Sequence, residues 1–226
     1  MNRMDNDNST PMAAKEYDKK INQTIPYYSD FYSQTFDVVE QCGFKEMDWL
    51  DLGCGTGSLE ELAYQRFSEI HFVLVDPSEK MLEQAKIKLR NNSLQYICAS
   101  SDSIHFSNRF DVVTAIQSHH YMHEEERRKA TECVYQALKK GGIYIYFENI
   151  VPEDEEIKTF ELLRWGRYQQ RHGKTEEEAK AHNARCGKNY FPLTATQHIQ
   201  LLKDAGFSKV HIFWCSYMQM GIYGIK

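Results

Sequence analysis

A chain of 226 residues, 42% of them hydrophobic, has the material for one globular domain with a full core. Its net charge of −5 and isoelectric point of about 6.0 argue against a nucleic-acid surface, where Lys and Arg supply most of the affinity. Six cysteines without a CxxC pair, an opening MNRMDNDNST without an apolar centre, and no apolar run of membrane length predict a cytoplasmic protein with reduced thiols, no secretory leader and no membrane partner.

Residues 1–14 are polar and predicted to form a disordered tail; 15–226 read as a single domain. Residues 15–45 contain EYDKKINQTIPYYSDFY, a tyrosine-rich amphipathic stretch predicted as lid helices. WLDLG is a strand. SLEELAYQRF is a helix, with Leu59, Leu62 and Ala63 at helical spacing. IHFVLVD is apolar without alternation, the pattern of a strand covered on both faces. PSEKMLEQAKIKLR is a helix carrying Met81, Leu82, Ala85 and Leu89 on one side. LQYICA and RFDVVTAIQ are the third and fourth strands. EEERRKATECVYQALKKGG is a helix with acids first and lysines last, predicted to run to Gly141 and Gly142. IYIYFENI is the fifth strand.

Residues 46–150 thus form a core in which strands and helices alternate, which implies a mostly parallel α/β sheet, doubly wound. Residues 151–192 break the rhythm. They are highly charged, look wholly helical, and read as a helical cap inserted after the fifth strand. Residues 193–226 return to it: TATQHIQLLKDAGF is a helix closed by Gly206, and KVHIFWCSYMQMGIYGIK supplies two strands.

In such a sheet the loop after the first strand lies at the ligand crevice. Gly53, Gly55 and Gly57 let a ligand lie against the main chain. Their G-x-G-x-G spacing is not the G-x-G-x-x-G of dinucleotide binders. Asp51 precedes the loop, and Asp76 ends the second strand, where a carboxylate can accept from both ribose hydroxyls. A loop flanked by acids suits a nucleoside with a cationic appended chain better than a pyrophosphate. The alternative is a plain turn with a ribose-binding acid in some other nucleotide protein.

WLDLGCGTG, FVLVDPSEKMLEQA, RFDVVTAIQSHHYM and ALKKGGIYIYFE together resemble the class I S-adenosylmethionine-dependent methyltransferases, over roughly residues 46–150. The resemblance implies a seven-stranded, mostly parallel, Rossmann-like sheet with an antiparallel last strand, and S-adenosylmethionine as cofactor. It implies that Asp51 and the loop Gly53, Cys54, Gly55, Thr56 and Gly57 face the methionine moiety. Asp76 would hold the ribose, with Pro77 and Met81 near the adenine. Ser100, Ser101 and Asp102 would lie around the adenine edge, and Gln117 near the methionine amine. The family often has Asp directly after the third strand; here Ser100 stands there, with Asp102 two positions on. The flanking stretches EYDKKINQTIPYYSDFY and TEEEAKAHNARC look like the carboxy-S-adenosylmethionine synthases, in which an arginine matching Arg185 meets the extra carboxylate.

Methyl transfer is an in-line displacement that needs positioning and exclusion of water, and a base only when the acceptor carries a proton. Tyr17, Tyr27 and Tyr28 either pack the lid or face the sulfonium, Tyr17 being the first candidate. In SHHYMHEEE, three readings compete. The histidines pack, cap and meet solvent; or His120 or His119 acts as base on the acceptor; or His119 and His123 at i, i+4 spacing hold a metal. No metal is the expectation. Tyr28, His123, Trp165, Tyr168 and Arg185 are candidate acceptor contacts, with ordinary packing and a solvated charged face as the alternatives.

Three functions follow from this. The first is an S-adenosylmethionine-dependent methyltransferase acting on a small-molecule acceptor, as monomer or homodimer. The second is a carboxy-S-adenosylmethionine synthase or a user of that cofactor. The third is a non-catalytic binding protein. The sequence does not name the acceptor or the methylated atom.

Overall fold

In the computed structural model, residues 14–90 and 94–226 are described. Apart from Ala14, the predicted tail lies outside the described residues. Trp49, Leu50 and Leu52 of the first strand, β1 (Met47–Leu52), are wholly buried. β1 lies inside a seven-stranded sheet, so residues pointing to either face meet helices. The other strands are β2 (Ile70–Asp76), β3 (Gln95–Cys98), β4 (Phe110–Ile116), β5 (Leu138–Asn149), β6 (Lys209–Ser216) and β7 (Gln219–Ile225). Their order is β3-β2-β1-β4-β5-β7-β6. β3 through β5 pair in parallel, and β7 runs antiparallel to both β5 and β6.

Alternate residues feed two apolar layers. Trp49, Phe72, Leu74, Val112 and Phe147 face α2 (Tyr28–Cys42), α3 (Ser58–Arg66) and α4 (Glu79–Leu89). Leu50, Val73, Val75, Val113 and Tyr146 face α5 (Glu124–Ala137) and α8 (Ala195–Ala205). Phe31 of α2 stacks on Phe147 at 4.4 Å and meets Trp214 edge-on at 5.1 Å. Within the predicted lid, therefore, α2 belongs to the core, and α1 (Tyr17–Thr24) is the part that crosses the crevice.

Two predicted boundaries are corrected. The fifth helix does not run to Gly141 but stops at Ala137, where β5 begins. Leu138 is wholly buried and pairs in register with Phe110, so strand pairing overrides the helix preference of Leu-Lys-Lys. The register shifts between Phe110 and Val112. A Cβ on Gly142 would lie 3.0 Å from the Asp111 carbonyl oxygen, so this irregularity needs a glycine.

The cap is not wholly helical. It comprises α6 (Glu155–Arg171) and α7 (Glu176–Asn183), and then the chain turns through residues 184–194, with bridges Cys186–Tyr190 and Ile150–Leu193. Gly187 at φ 75° and Pro192 are incompatible with a continued helix. Hydrogen bonds tie this segment to the turn after β4. The Phe191 N–H donates to the His120 carbonyl at 2.6 Å, and Arg127 Nη2 donates to the Phe191 carbonyl at 2.6 Å. The cap docks on α1, where Trp165 Nε1 donates to the Thr24 carbonyl at 2.7 Å.

Candidate functional site

The three loop glycines differ in purpose. A Cβ on Gly53 would sit 2.4 Å from Ser118 Cβ, so the close approach of the loops after β1 and β4 at this point requires a glycine. Gly57 lies against Leu89 and Ala85 of α4. Gly55, at φ 56°, has open space where its side chain would be. That space belongs to a cavity of about 310 Å³ at the carboxyl ends of β1, β2 and β4. Gly53, Gly55, Asp76, Pro77 and Met81 line it, as do Ser100 and Ser101. Gln117 and His119, from the segment after β4, line it too, and Tyr17 of α1 also borders the cavity.

Asp76 is buried, and its carboxylate accepts from the Gly55 N–H at 2.9 Å and the Ser78 N–H at 2.8 Å. The carboxylate therefore orders the glycine loop at the edge of the cavity. Gln117 is a non-glycine residue at φ 56°, a left-handed conformation held by its N–H donating to the Phe147 carbonyl at 2.7 Å. Gln117 Nε2 and His119 Nε2 are buried and have no hydrogen-bond partner among the described residues. Unmet polar atoms on residues that line a cavity with a bare-backbone wall fit a polar ligand. Burial lowers His119 to about 4, so its ring is neutral at pH 7.

Behind the loop, Asp51 bonds to the Thr114 hydroxyl on the neighbouring strand. Burial pushes Asp51 up to about 6, and burial with the charge of Asp51 raises Glu60 of α3 beside it. Asp51, Cys54, Thr56, Gly57 and Asp102 do not line the cavity. Asp51 is turned into the sheet, Cys54 is buried and Gly57 packs on α4. Thr56 faces the lid: its hydroxyl donates to Asp18 at 2.7 Å, and Lys88 Nζ lies 2.6 Å from Asp18 and 2.7 Å from Ser58. This latch joins α1, the glycine loop and α4.

A second, smaller space of about 20 Å³ is bordered by His120, Asn149 and Arg185, with His182 and Tyr190 from the cap. It shares Tyr17, Gln117 and Tyr121 with the larger cavity. His120 Nδ1 lies 2.8 Å from Glu148 Oε2, and the His119 N–H donates to Glu148 Oε1 at 2.8 Å. Burial alone would raise the Glu148 carboxyl. The charge that His120 carries when protonated, with its hydrogen bond, outweighs it, with Arg127 adding, and holds Glu148 at about 2. Burial lifts Tyr121 to about 12 despite the nearby Arg185 charge.

Four residues predicted to meet an acceptor stand apart from both spaces. Tyr28 and Tyr168 border a different cavity on the outer side of the lid, and the Tyr28 hydroxyl bonds to Tyr32. Trp165 is buried as the anchor of the cap. His123 caps α5, packs on Phe191 and is exposed. His119 and His123 share no helix, because a 3-10 turn (His119–Tyr121) ends before α5 begins. Among the described residues, no group of three His, Cys, Asp or Glu could hold a metal ion. Glu148, Tyr121 and Met122 were missed. Glu148 reads in sequence as one more residue of a buried strand, and only its place at the carboxyl end of β5 marked it.

Residues 50–142 match the family described as methyltransferase domain. Two curated relatives are carboxy-S-adenosyl-L-methionine synthases. The Nautilia profundicola protein is 23% identical, over 88% of this chain and 86% of that one. The Helicobacter hepaticus protein is 26% identical, over 89% of this chain and 87% of that one. A solved S-adenosylmethionine-dependent methyltransferase from Thermotoga maritima superposes with a TM-score of 0.63 at 16% identity, over 93% of this chain and 94% of that chain. Strand order and the antiparallel β7 agree with these matches: residues 50–142 match a methyltransferase domain, and the sheet has the class I S-adenosylmethionine-dependent methyltransferase fold.

Proposed function

We propose that the protein methylates a small molecule, with S-adenosylmethionine in the larger cavity and the acceptor entering beside His120 and Tyr121. The observation that carries this is that Gln117 and His119, which line the cavity together with Gly55 and Asp76, each hold a buried nitrogen, Nε2, without a partner among the described residues. When bound, S-adenosylmethionine supplies an electrophilic methyl group on a sulfonium. Asp76 holds the ribose, Pro77 and Met81 flank the adenine, and Ser100 and Ser101 lie at its edge. Gln117 meets the methionine end, as does the main chain of Gly53 and Gly55. Tyr17 closes the site, and α1 with the cap excludes water; such positioning is worth about 7–11 kcal/mol of barrier.

His120 takes the proton of the acceptor, its ring oriented by Glu148. The carboxylate on Nδ1 fixes the tautomer and stabilises the charge that forms. In this reading residues 15–45, 46–150, 151–192 and 193–226 are parts of one domain. The protein is cytoplasmic, as its six unpaired cysteines suit. Among the described residues, no helix is long and apolar enough to cross a membrane.

A second reading is supported by the size of the space beside Arg185. About 20 Å³ is room for one or two waters, which suits a carboxylate better than a ring. Arg185 would then meet a carboxylate on the cofactor, as in carboxy-S-adenosylmethionine chemistry. Mass spectrometry of nucleoside carried through purification separates the two. S-adenosylmethionine or S-adenosylhomocysteine supports methyl transfer, and the carboxylated cofactor supports the second reading. A methylation assay over hydroxyl, thiol and amine acceptors then tests the first directly, and no transfer to any of them would overturn it.

A further inference from the structure

α6 buries one face and leaves the opposite one open. Trp165, Gly166 and Gln169 point inward, whereas Ile157, Phe160 and Leu163 are 55%, 64% and 59% exposed. On a helix these three lie within one stripe with Phe160 at its centre. Three large apolar side chains in one surface stripe mark an interaction face more often than chance exposure does. The charges flanking the stripe are sorted. Glu153 and Glu156 lie at the amino end, and Arg164 and Arg167 at the carboxyl end. Several neighbouring charges are consumed within the chain: Glu155 pairs with Lys158, and Glu161 with Arg164. Glu156 and Arg167 are exposed, and neither has an ion-pair partner among the described residues.

We propose that this face binds a second copy of the same chain, α6 against α6, antiparallel about a two-fold axis beside Phe160. Such an interface is self-complementary, as a two-fold contact requires. Phe160 packs on Phe160 of the other copy, between Ile157 and Leu163. At the usual 8–10 Å between helix axes, the acidic end of each helix lies along the basic end of the other. Glu156 of one copy then meets Arg167 of the other, and the pair occurs twice. Parallel packing would set like charges together and is disfavoured. A membrane surface would favour basic residues along the whole stripe, whereas half of this one is acidic. The interface stands independently of the reaction proposed above.

Sedimentation equilibrium on the full chain tests it. A reversible dimer that weakens with added salt is expected, because the paired charges are exposed and screened. Phe160→Asp, at an exposed site where folding survives, should raise the dimer dissociation constant at least about tenfold. Glu156→Arg alone and Arg167→Glu alone should each weaken the dimer. The two together in one chain should restore it, since each contact then holds the swapped pair. Circular dichroism confirms that each variant is folded. A monomer at all concentrations, a dimer untouched by Phe160→Asp, a double variant no better than the singles, or a monomer that binds anionic vesicles through the stripe would each overturn the proposal.

Discussion

Glu148 and His120 are both buried, and 2.8 Å separates their facing oxygen and nitrogen. A buried carboxylate on one imidazole nitrogen leaves the other as the ring's exchanging position, which is the arrangement of an oriented general base. Glu148→Gln keeps an oxygen for the His119 N–H but removes the charge. Turnover should drop by about 10²-fold or more, and the acid limb of the pH–rate profile should move, while S-adenosylmethionine affinity holds. Steady-state kinetics across pH, with calorimetry for the cofactor, decide it. An unchanged profile with lower stability alone would leave Glu148 as a packing residue.

Asp76 serves the loop and the cavity at once through Gly55 and Ser78. Asp76→Ala should weaken S-adenosylmethionine binding by about one to two orders of magnitude, from the loss of charge-assisted bonds worth roughly 1.5–3 kcal/mol. Asp76→Asn, which keeps one acceptor, should fall between. Calorimetric affinity unchanged in a folded Ala variant would falsify the ribose assignment.

Lys88 holds α1 over the loop through Asp18, Thr56 and Ser58. Asp18 is half exposed, so the latch is weak, on the order of 0.5–1 kcal/mol. Lys88→Met should raise the cofactor dissociation rate a few-fold and make that rate less sensitive to salt. Stopped-flow release of bound cofactor measures both effects.

His119, His182 and His198 are buried, and burial lowers them to about 4, 3 and 4 from the ordinary 6.5. The unfolded chain therefore binds protons that the native state refuses, and stability is lost as pH falls below about 6.5. Asp51 acts in the opposite sense, because its raised carboxyl holds a proton that the unfolded chain releases between about 4 and 6. Glu60, raised by burial and by the charge of Asp51, also opposes the histidines, so the histidine contribution between about pH 7 and pH 6 is read as the change in the pH dependence of the urea midpoint when one of them is removed. His198→Gln keeps an acceptor for the Tyr146 hydroxyl. It should flatten the dependence by up to about one proton in the slope. A pH dependence in this window left unchanged by His198→Gln would refute the burial argument.

The sheet was legible because its strands read as uninterrupted apolar runs between amphipathic helices, a pattern set by local period alone. The glycine loop and Asp76 were legible because their spacing is local too. The fifth helix was read too long because nothing in Leu-Lys-Lys-Gly-Gly reveals that Leu138 finds Phe110 across the sheet. Trp165 and Tyr168 look like pocket residues in sequence, but Trp165 is spent on anchoring the cap to α1 and Tyr168 turns to the outer side of the lid.

The sequence by itself determined the α/β alternation and the acid-flanked glycine loop, because both follow from the backbone freedom and hydrophobic period of neighbouring residues. Only the tertiary structure decided that His120 and Arg185 border one space, with Glu148 bonded to His120 behind it. They come from the turn after β4, the end of β5 and the cap. Long-range hydrogen bonds, such as that from Phe191 N–H to the His120 carbonyl, bring them together, and no local pattern encodes that.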